Sequence, residues 1–285
     1  MKRSFKGWTI PGPLPGVAGA AGMSAENVEV ADEESLDAIS GHFKIFQLKK
    51  GHRFSTDDVL VAWYGAHWAP APRRVLDLGS GIGSVALVAA WCLPQAHFVT
   101  LEAQAISIGL AKKSVALNGL EDRFELLEGD LRNETILASQ EPFDLVLGSP
   151  PYWPLEEGTQ AEHPQKVACR FEVRGDVGDY VAAARRNLGP AGVFACVFPI
   201  DVESQHERVR AAAKVEDMTI LRMRPVIFRE GNEPYLGLFL MIRNEDIPEK
   251  LHHKTWVEPP LTIRNQNGHV NQEYMAIKMS FGFPP

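Results

Sequence analysis

Val75-Leu-Asp-Leu-Gly-Ser-Gly-Ile-Gly83 constrains the fold of this chain more than any other segment. Five residues that read as a buried strand, Arg74 to Leu78, run into Gly79, Gly81 and Gly83, and an apolar stretch of helical length follows from about Gly83 to Leu93. Glycine is required where a backbone must turn sharply and approach a ligand closely. The helix that follows leaves free N–H groups pointing at that ligand. Strand, glycine turn and helix together are the first unit of a nucleotide-binding α/β sheet.

The rest of the chain repeats the alternation. Strands are expected at Phe43 to Leu48, His97 to Leu101, Phe124 to Leu127, Phe143 to Gly148 and Val193 to Phe198. Helices are expected at Val59 to Trp68, with Ser55 as N-cap, and near Ala103 to Leu117, Asp179 to Leu188 and Glu203 to Lys214. A Gly189-Pro-Ala-Gly192 turn precedes the Val193 strand. Met218 to Phe228 and Tyr235 to Ile242 are joined by a short link, which predicts an antiparallel pair at the sheet edge. The fold class is therefore α/β: a Rossmann-like, doubly wound, mostly parallel seven-stranded sheet with an antiparallel C-terminal edge pair. Residues 1–40 read as a flexible Pro/Gly-rich extension, 41–245 as the α/β domain and 246–285 as a tail packing on it. Ile10-Pro-Gly-Pro-Leu-Pro-Gly16 holds no regular element, and Ala25 to Ser40 reads as an exposed acidic lead-in. Met1 to Lys6 resembles the start of a signal or transit peptide, but prolines interrupt any apolar core. A flexible arm, or a start at Met23, is the simpler reading.

A glycine turn alone fits nicotinamide, flavin or S-adenosylmethionine. Three carboxylates favour the last. Asp77 sits on the strand before the glycines, where it can hold the cationic methionine end. Glu102 ends the next strand, where it can accept from both ribose hydroxyls. Asp130 follows the third, where it can accept from the adenine amino group. The expected cofactor site is then Asp77, Gly79, Gly81, Gly83, Glu102 and Asp130.

Gly148-Ser149-Pro150-Pro151-Tyr152-Trp153 follows the fourth strand and faces the same crevice. An exocyclic amine on a base or amide is a poor nucleophile, because its lone pair is delocalised. Two acceptors, the Pro150 carbonyl and the Ser149 side chain, can hold its hydrogens and aim the lone pair at a methyl group. Pro151 stiffens the turn, and Tyr152 or Trp153 offers a stacking face. The expected catalytic residues are Ser149, Pro150 and Tyr152, with Pro151, Trp153 and Arg170 on the substrate side.

The net charge of −7 at pH 7 argues against a chain that wraps nucleic acid nonspecifically, while leaving room for a local basic patch. Lys49-Lys50, Arg53, Arg170, Arg174 and Arg185-Arg186 are the candidates for one. Three scattered cysteines form neither a disulfide framework nor a zinc pattern, and His252-His253 lacks further ligands. No metal is expected, no apolar run is long enough for a bilayer, and a reducing cytoplasmic setting is the simplest reading.

The 149–152 turn resembles the Asn/Asp/Ser-Pro-Pro-Tyr signature of amino methyltransferases. Beyond it, the chain is most similar to the bacterial adenine-N6 methyltransferases that act beside the anticodon of valine tRNA. Gly51-His-Arg-Phe-Ser-Thr-Asp57 with Val59-Leu-Val-Ala62, Ala168-Cys-Arg-Phe-Glu172, and Leu261-Thr-Ile-Arg264 with Gly268 and Glu273-Tyr274 carry the likeness, over roughly 43 to 280. The resemblance implies S-adenosylmethionine as cofactor, tRNA as substrate and partner, and a segment before the first strand that closes over the cofactor. That segment adds Phe54 and Thr56 to the cofactor-binding set, and the 149–152 turn adds Ser149. The family's usual asparagine is Ser149 here, and Cys169 and Phe171 interrupt its Ala-Arg-x-Glu element. Serine at that position is more typical of cytosine-N4 DNA enzymes. Protein glutamine, DNA cytosine, a small molecule, or a noncatalytic cofactor-binding role are the alternatives.

Overall fold

The computed structural model describes residues 29–154, 163, 165, 167, 169 and 171–283, with the backbone of two paired dipeptide strands at Ser4–Phe5 and Trp8–Thr9. The Pro/Gly stretch 10–22, and Arg170, lie outside the described residues.

The chain enters through an antiparallel hairpin, β1 (Glu34–Ser40) and β2 (Phe43–Leu48). Glu34 to Ser40, expected as part of an exposed lead-in, is thus a strand. Its turn uses Gly41 at φ +52°, and a Cβ there would strike the indole of Trp91. Helix α1 (Thr56–Trp68) follows, with Ser55 as N-cap in a reciprocal capping box with Asp58.

The core units are β3 (Arg74–Leu78), α2 (Ser84–Cys92), β4 (His97–Glu102), α3 (Ala105–Leu117), β5 (Phe124–Glu128) and β6 (Phe143–Gly148). After these come α4 (Val177–Asn187), β7 (Leu188–Pro199), α5 (Glu203–Val215), β8 (Met218–Ile227) and β9 (Leu236–Arg243). The order across the sheet is β5-β4-β3-β6-β7-β9-β8. All pairings from β5 to β7 are parallel. The central strands are buried on both faces, which is why Val75–Leu78 and Leu145–Leu147 read as nearly unbroken apolar runs.

The seven strands expected from the sequence form the body of a doubly wound sheet that two short tail strands extend to nine, and its edge has one added feature. β9 inserts between β7 and β8 and is antiparallel to both, so it alone opposes the common direction of the seven. The Gly189–Gly192 stretch, expected as a separate turn, lies inside the span of β7, with Ala191 at φ +56°.

One face of the sheet packs against α1, α2 and α3, together with the β1–β2 hairpin. The other packs against α4 and α5. The tail adds β10 (Trp256–Val257) and β11 (Leu261–Thr262), both parallel to β8, and α6 (Gln272–Ser280). Leu261, Ile263, Tyr274, Ile277 and Phe281 from this tail are all buried in the first core. Among the described residues no helix is long and apolar enough to cross a membrane.

Candidate active site

The chain reverses its direction of travel across the sheet at β3, since β4 lies on one side and β6 on the other. In open α/β sheets such a switch point opens a crevice beyond the carboxyl ends of the strands. Here it is a cleft of about 1010 Å3. Asp77, Gly79, Gly81, Glu102, Ser149, Pro150, Pro151, Tyr152 and Trp153 all line it. The structure therefore brings these nine of the predicted cofactor and acceptor residues to one cavity.

The loop after β3 is held open from below. Gly79 has φ +60°, and a Cβ on it would meet the Tyr180 hydroxyl at 1.8 Å. Gly81 has φ +55°, and a Cβ on it would find nothing within 4 Å, so its absence leaves space in the cleft. Gly83, at φ +81°, caps α2 and stands near Ala111 rather than on the cleft wall.

Asp77 is 1 % exposed, and its carboxylate accepts from the Ala86 amide at 3.1 Å. Burial pushes its pKa well above the ordinary value, helped by Asp58 and Glu102 nearby. Glu102 accepts from the Gly81 amide at 2.8 Å and the Gln104 amide at 2.7 Å, and burial raises it too. A pair of carboxylates desolvated together disfavours ionisation until a cation or a set of donors enters. Ser80 presents a buried hydroxyl with no hydrogen-bond partner among the described residues. These features fit S-adenosylmethionine: an ammonium group for Asp77, ribose hydroxyls for Glu102, and unfilled space above Gly81.

Other predicted residues stand elsewhere. Asp130 forks onto Arg132 at 2.6 and 2.9 Å, which holds its carboxyl below the usual range. Gly129 and Leu131 line the cleft, but Asp130 is not among the lining residues. Phe54 donates its amide to Gln47 at 2.8 Å and packs on the core, and Thr56 reaches the Tyr274 hydroxyl on α6. Neither lines the cleft, although their neighbours Arg53, Ser55 and Asp57 do. Arg174, Lys49 and Lys50 are on its wall. Arg185 and Arg186 are not: they end α4, at the amino end of β7, and pair with Glu245 and Glu134.

The acceptor turn is pinned from three sides. Tyr152 meets Phe198 edge-on at 5.8 Å, and its backbone carbonyl accepts from Gln205 on α5 at 3.3 Å. Its hydroxyl donates to Asp57 at 2.8 Å. Trp153 bridges to Phe171, and its carbonyl accepts the Glu172 amide at 3.0 Å. Glu172 in turn pairs with Arg208 of α5. Asp57 and Asp58 on the cleft wall, and Gln205 and Arg208 holding the turn from α5, are residues that sequence reasoning misses. The acidic first turn of α1 is the one signal, and from sequence it reads as helix capping.

A Gly-rich strand–turn–helix, buried acids at the carboxyl ends of β3 and β4, and an acceptor turn after β6 define the S-adenosylmethionine-dependent methyltransferase class. The methyltransferase small domain family matches residues 59–171. A solved structure of a predicted O-methyltransferase from Agrobacterium tumefaciens superposes with a TM-score of 0.61 at 18% identity, covering 80% of this chain and 98% of that one. Among curated proteins, the tRNA1(Val) (adenine(37)-N6)-methyltransferase of Bacteroides thetaiotaomicron is 32% identical over 212 residues, 72% of this chain and 82% of the relative. The protein of that name from Shewanella sp. strain W3-18-1 is 26% identical over 245 residues, covering 84% of this chain and 95% of the relative. The chain belongs to the tRNA1(Val) (adenine(37)-N6)-methyltransferase family.

Proposed function

We propose that this enzyme methylates the exocyclic N6 amine of an adenine in tRNA, with S-adenosylmethionine as donor. The observation that carries the reading is the convergence of Asp77, Glu102 and the Ser149–Trp153 turn on one cleft. Relatives sharing a quarter to a third of their residues with it carry that activity in their names.

Asp77 would hold the amino-acid end of the cofactor and Glu102 its ribose, with the amides after Gly79 close beneath. Bound there, the cofactor supplies an electrophilic methyl group. The chain's own work is positioning. The Pro150 carbonyl and Ser149 hydroxyl accept the hydrogens of the incoming amine, which turns its lone pair toward the methyl. Tyr152 and Trp153 offer aromatic surface to a base splayed out of the RNA. Alignment for in-line displacement is the main catalytic contribution, and no strong general base is needed. Ser149 is shorter than asparagine and offers one hydroxyl in place of an amide. It keeps the acceptor function and gives up the second fixed polar group. Lys49, Lys50 and Arg174 on the cleft wall supply local positive charge for a phosphate backbone despite the acidic total.

Methyl-labelled cofactor offered with separated RNA, DNA, protein and metabolite fractions tests the reading. Label in small RNA is expected. Label confined to protein or DNA would move the assignment to the glutamine or cytosine alternatives.

A further inference from the structure

We propose that Asp57 is a positioning residue for methyl transfer: its carboxylate anchors the Tyr152 hydroxyl and so sets the angle at which the aromatic ring meets the acceptor base. The inference rests on the methyl-transfer reading of the cleft and assigns a duty to a residue outside its expected machinery.

Asp57 and Tyr152 lie 95 positions apart and meet across the cleft at 2.8 Å. Helix capping does not account for Asp57. Ser55 and Asp58 already close the capping box, with Asp58 also accepting from Ser84 at 3.2 Å. The Asp57 side chain is free of that duty and reaches into the cavity instead. Tyr152 needs such an anchor. Phe198 limits its ring from one edge, Gln205 fixes its backbone and the Ser149 side chain meets its hydroxyl from within the same turn, yet the ring torsion of tyrosine is broad and only Asp57 ties the hydroxyl to another element. A hydrogen bond at the hydroxyl removes that freedom before substrate arrives. The same bond ties α1, which follows the segment lining the cofactor pocket, to the turn that receives the acceptor.

The groups facing Asp57 are Asp58 on its own helix, His52 in the preceding segment, Tyr152 on the turn and Tyr274 on α6. Burial pushes Asp57 up to about 6, opposed by the Tyr152 hydrogen bond and by His52. Ionised Asp57 is the stronger acceptor. The anchor therefore tightens as pH rises through that value.

Two measurements decide the proposal. In protein labelled with 13C at tyrosine Cζ, the Tyr152 resonance is identified by its absence in Tyr152→Phe. It should titrate with a midpoint near 6, and most of this titration should be lost in Asp57→Asn, leaving only the smaller response to Asp58. A Tyr152 resonance indifferent to pH, or titrating unchanged in Asp57→Asn, overturns the proposal, whatever the methyl acceptor proves to be. In turnover on tRNA, Asp57→Ala and Tyr152→Phe should each lower kcat about tenfold, and the double variant should also lose about tenfold in total, not a hundredfold. Asp57→Asn, which keeps an acceptor, should recover most of the loss. Additive losses, or an undiminished kcat in Asp57→Ala, would contradict the coupling. Wild-type protein that labels no tRNA, with the Tyr152 titration intact, would refute the acceptor and leave the anchor standing.

Discussion

Gly79 and Gly81 share a left-handed backbone but are required for different reasons. At Gly79 a methyl group collides with the Tyr180 hydroxyl, whereas at Gly81 it meets only open cleft. Gly79→Ala should therefore lower both thermal stability and cofactor affinity. Gly81→Ala should cost only the backbone strain, about 1–2 kcal/mol, while blocking the cofactor. Calorimetric unfolding beside S-adenosylmethionine titration separates the two, and equal losses of stability would count against this account. Asp77→Asn keeps the shape and removes the charge. Loss of one charged hydrogen bond, about 1.5–3 kcal/mol, predicts roughly ten- to hundredfold weaker cofactor binding by titration calorimetry. Asp77 and Glu102 are legible in the sequence because each sits a fixed short step from a recognisable strand and turn. Asp57 is not, because its partner is remote in sequence. Asp130 stands apart from the cleft because Arg132, two residues on, occupies both of its oxygens, a pairing that the strand-and-turn pattern does not encode.

The elements are legible where burial is two-sided and hidden where it is not. β3, β4 and β6 announce themselves as apolar runs; β1, with the sequence Glu-Ser-Leu-Asp-Ala-Ile-Ser, alternates poorly and buries polar Glu34 against Lys113. The insertion of β9 beside β7 is a property of strand order, which local pattern does not encode. At the head of α1, Asp58 is 6 % exposed and raised to about 6 by burial. A carboxyl whose folded pKa exceeds its unfolded value adds stability below the unfolded value near 3.8, and this is lost as pH rises through about 6. Asp58→Asn retains an acceptor for Ser55 and Ser84 without the charge. The melting temperature of Asp58→Asn should exceed that of the wild type at pH 7.5 by a few degrees, and the gap should close toward pH 4.5. A gap that widens on acidification would reverse the assigned sign.

At the scale of the whole molecule, the tail from 246 onward belongs to the core. It contributes five buried side chains and two strands paired with β8. Each large apolar side chain contributes about 1.5–3 kcal/mol, so their loss rivals the whole stability of a domain. A chain ending at 245 should fail to give a cooperative unfolding transition by circular dichroism; a sharp transition at the full-length temperature would show the tail to be dispensable. Cofactor pocket, acceptor turn and α1 meet around one switch point of the sheet. The reaction proposed for this cleft is methyl transfer to adenine N6 in tRNA. The most direct measurement is mass spectrometry of nucleosides from unmodified tRNA incubated with enzyme and isotopically labelled S-adenosylmethionine. Labelled N6-methyladenosine, lost at least about tenfold in Tyr152→Ala while cofactor binding persists, is the predicted result; label in another nucleoside, or none in RNA while protein or DNA is methylated, would contradict it.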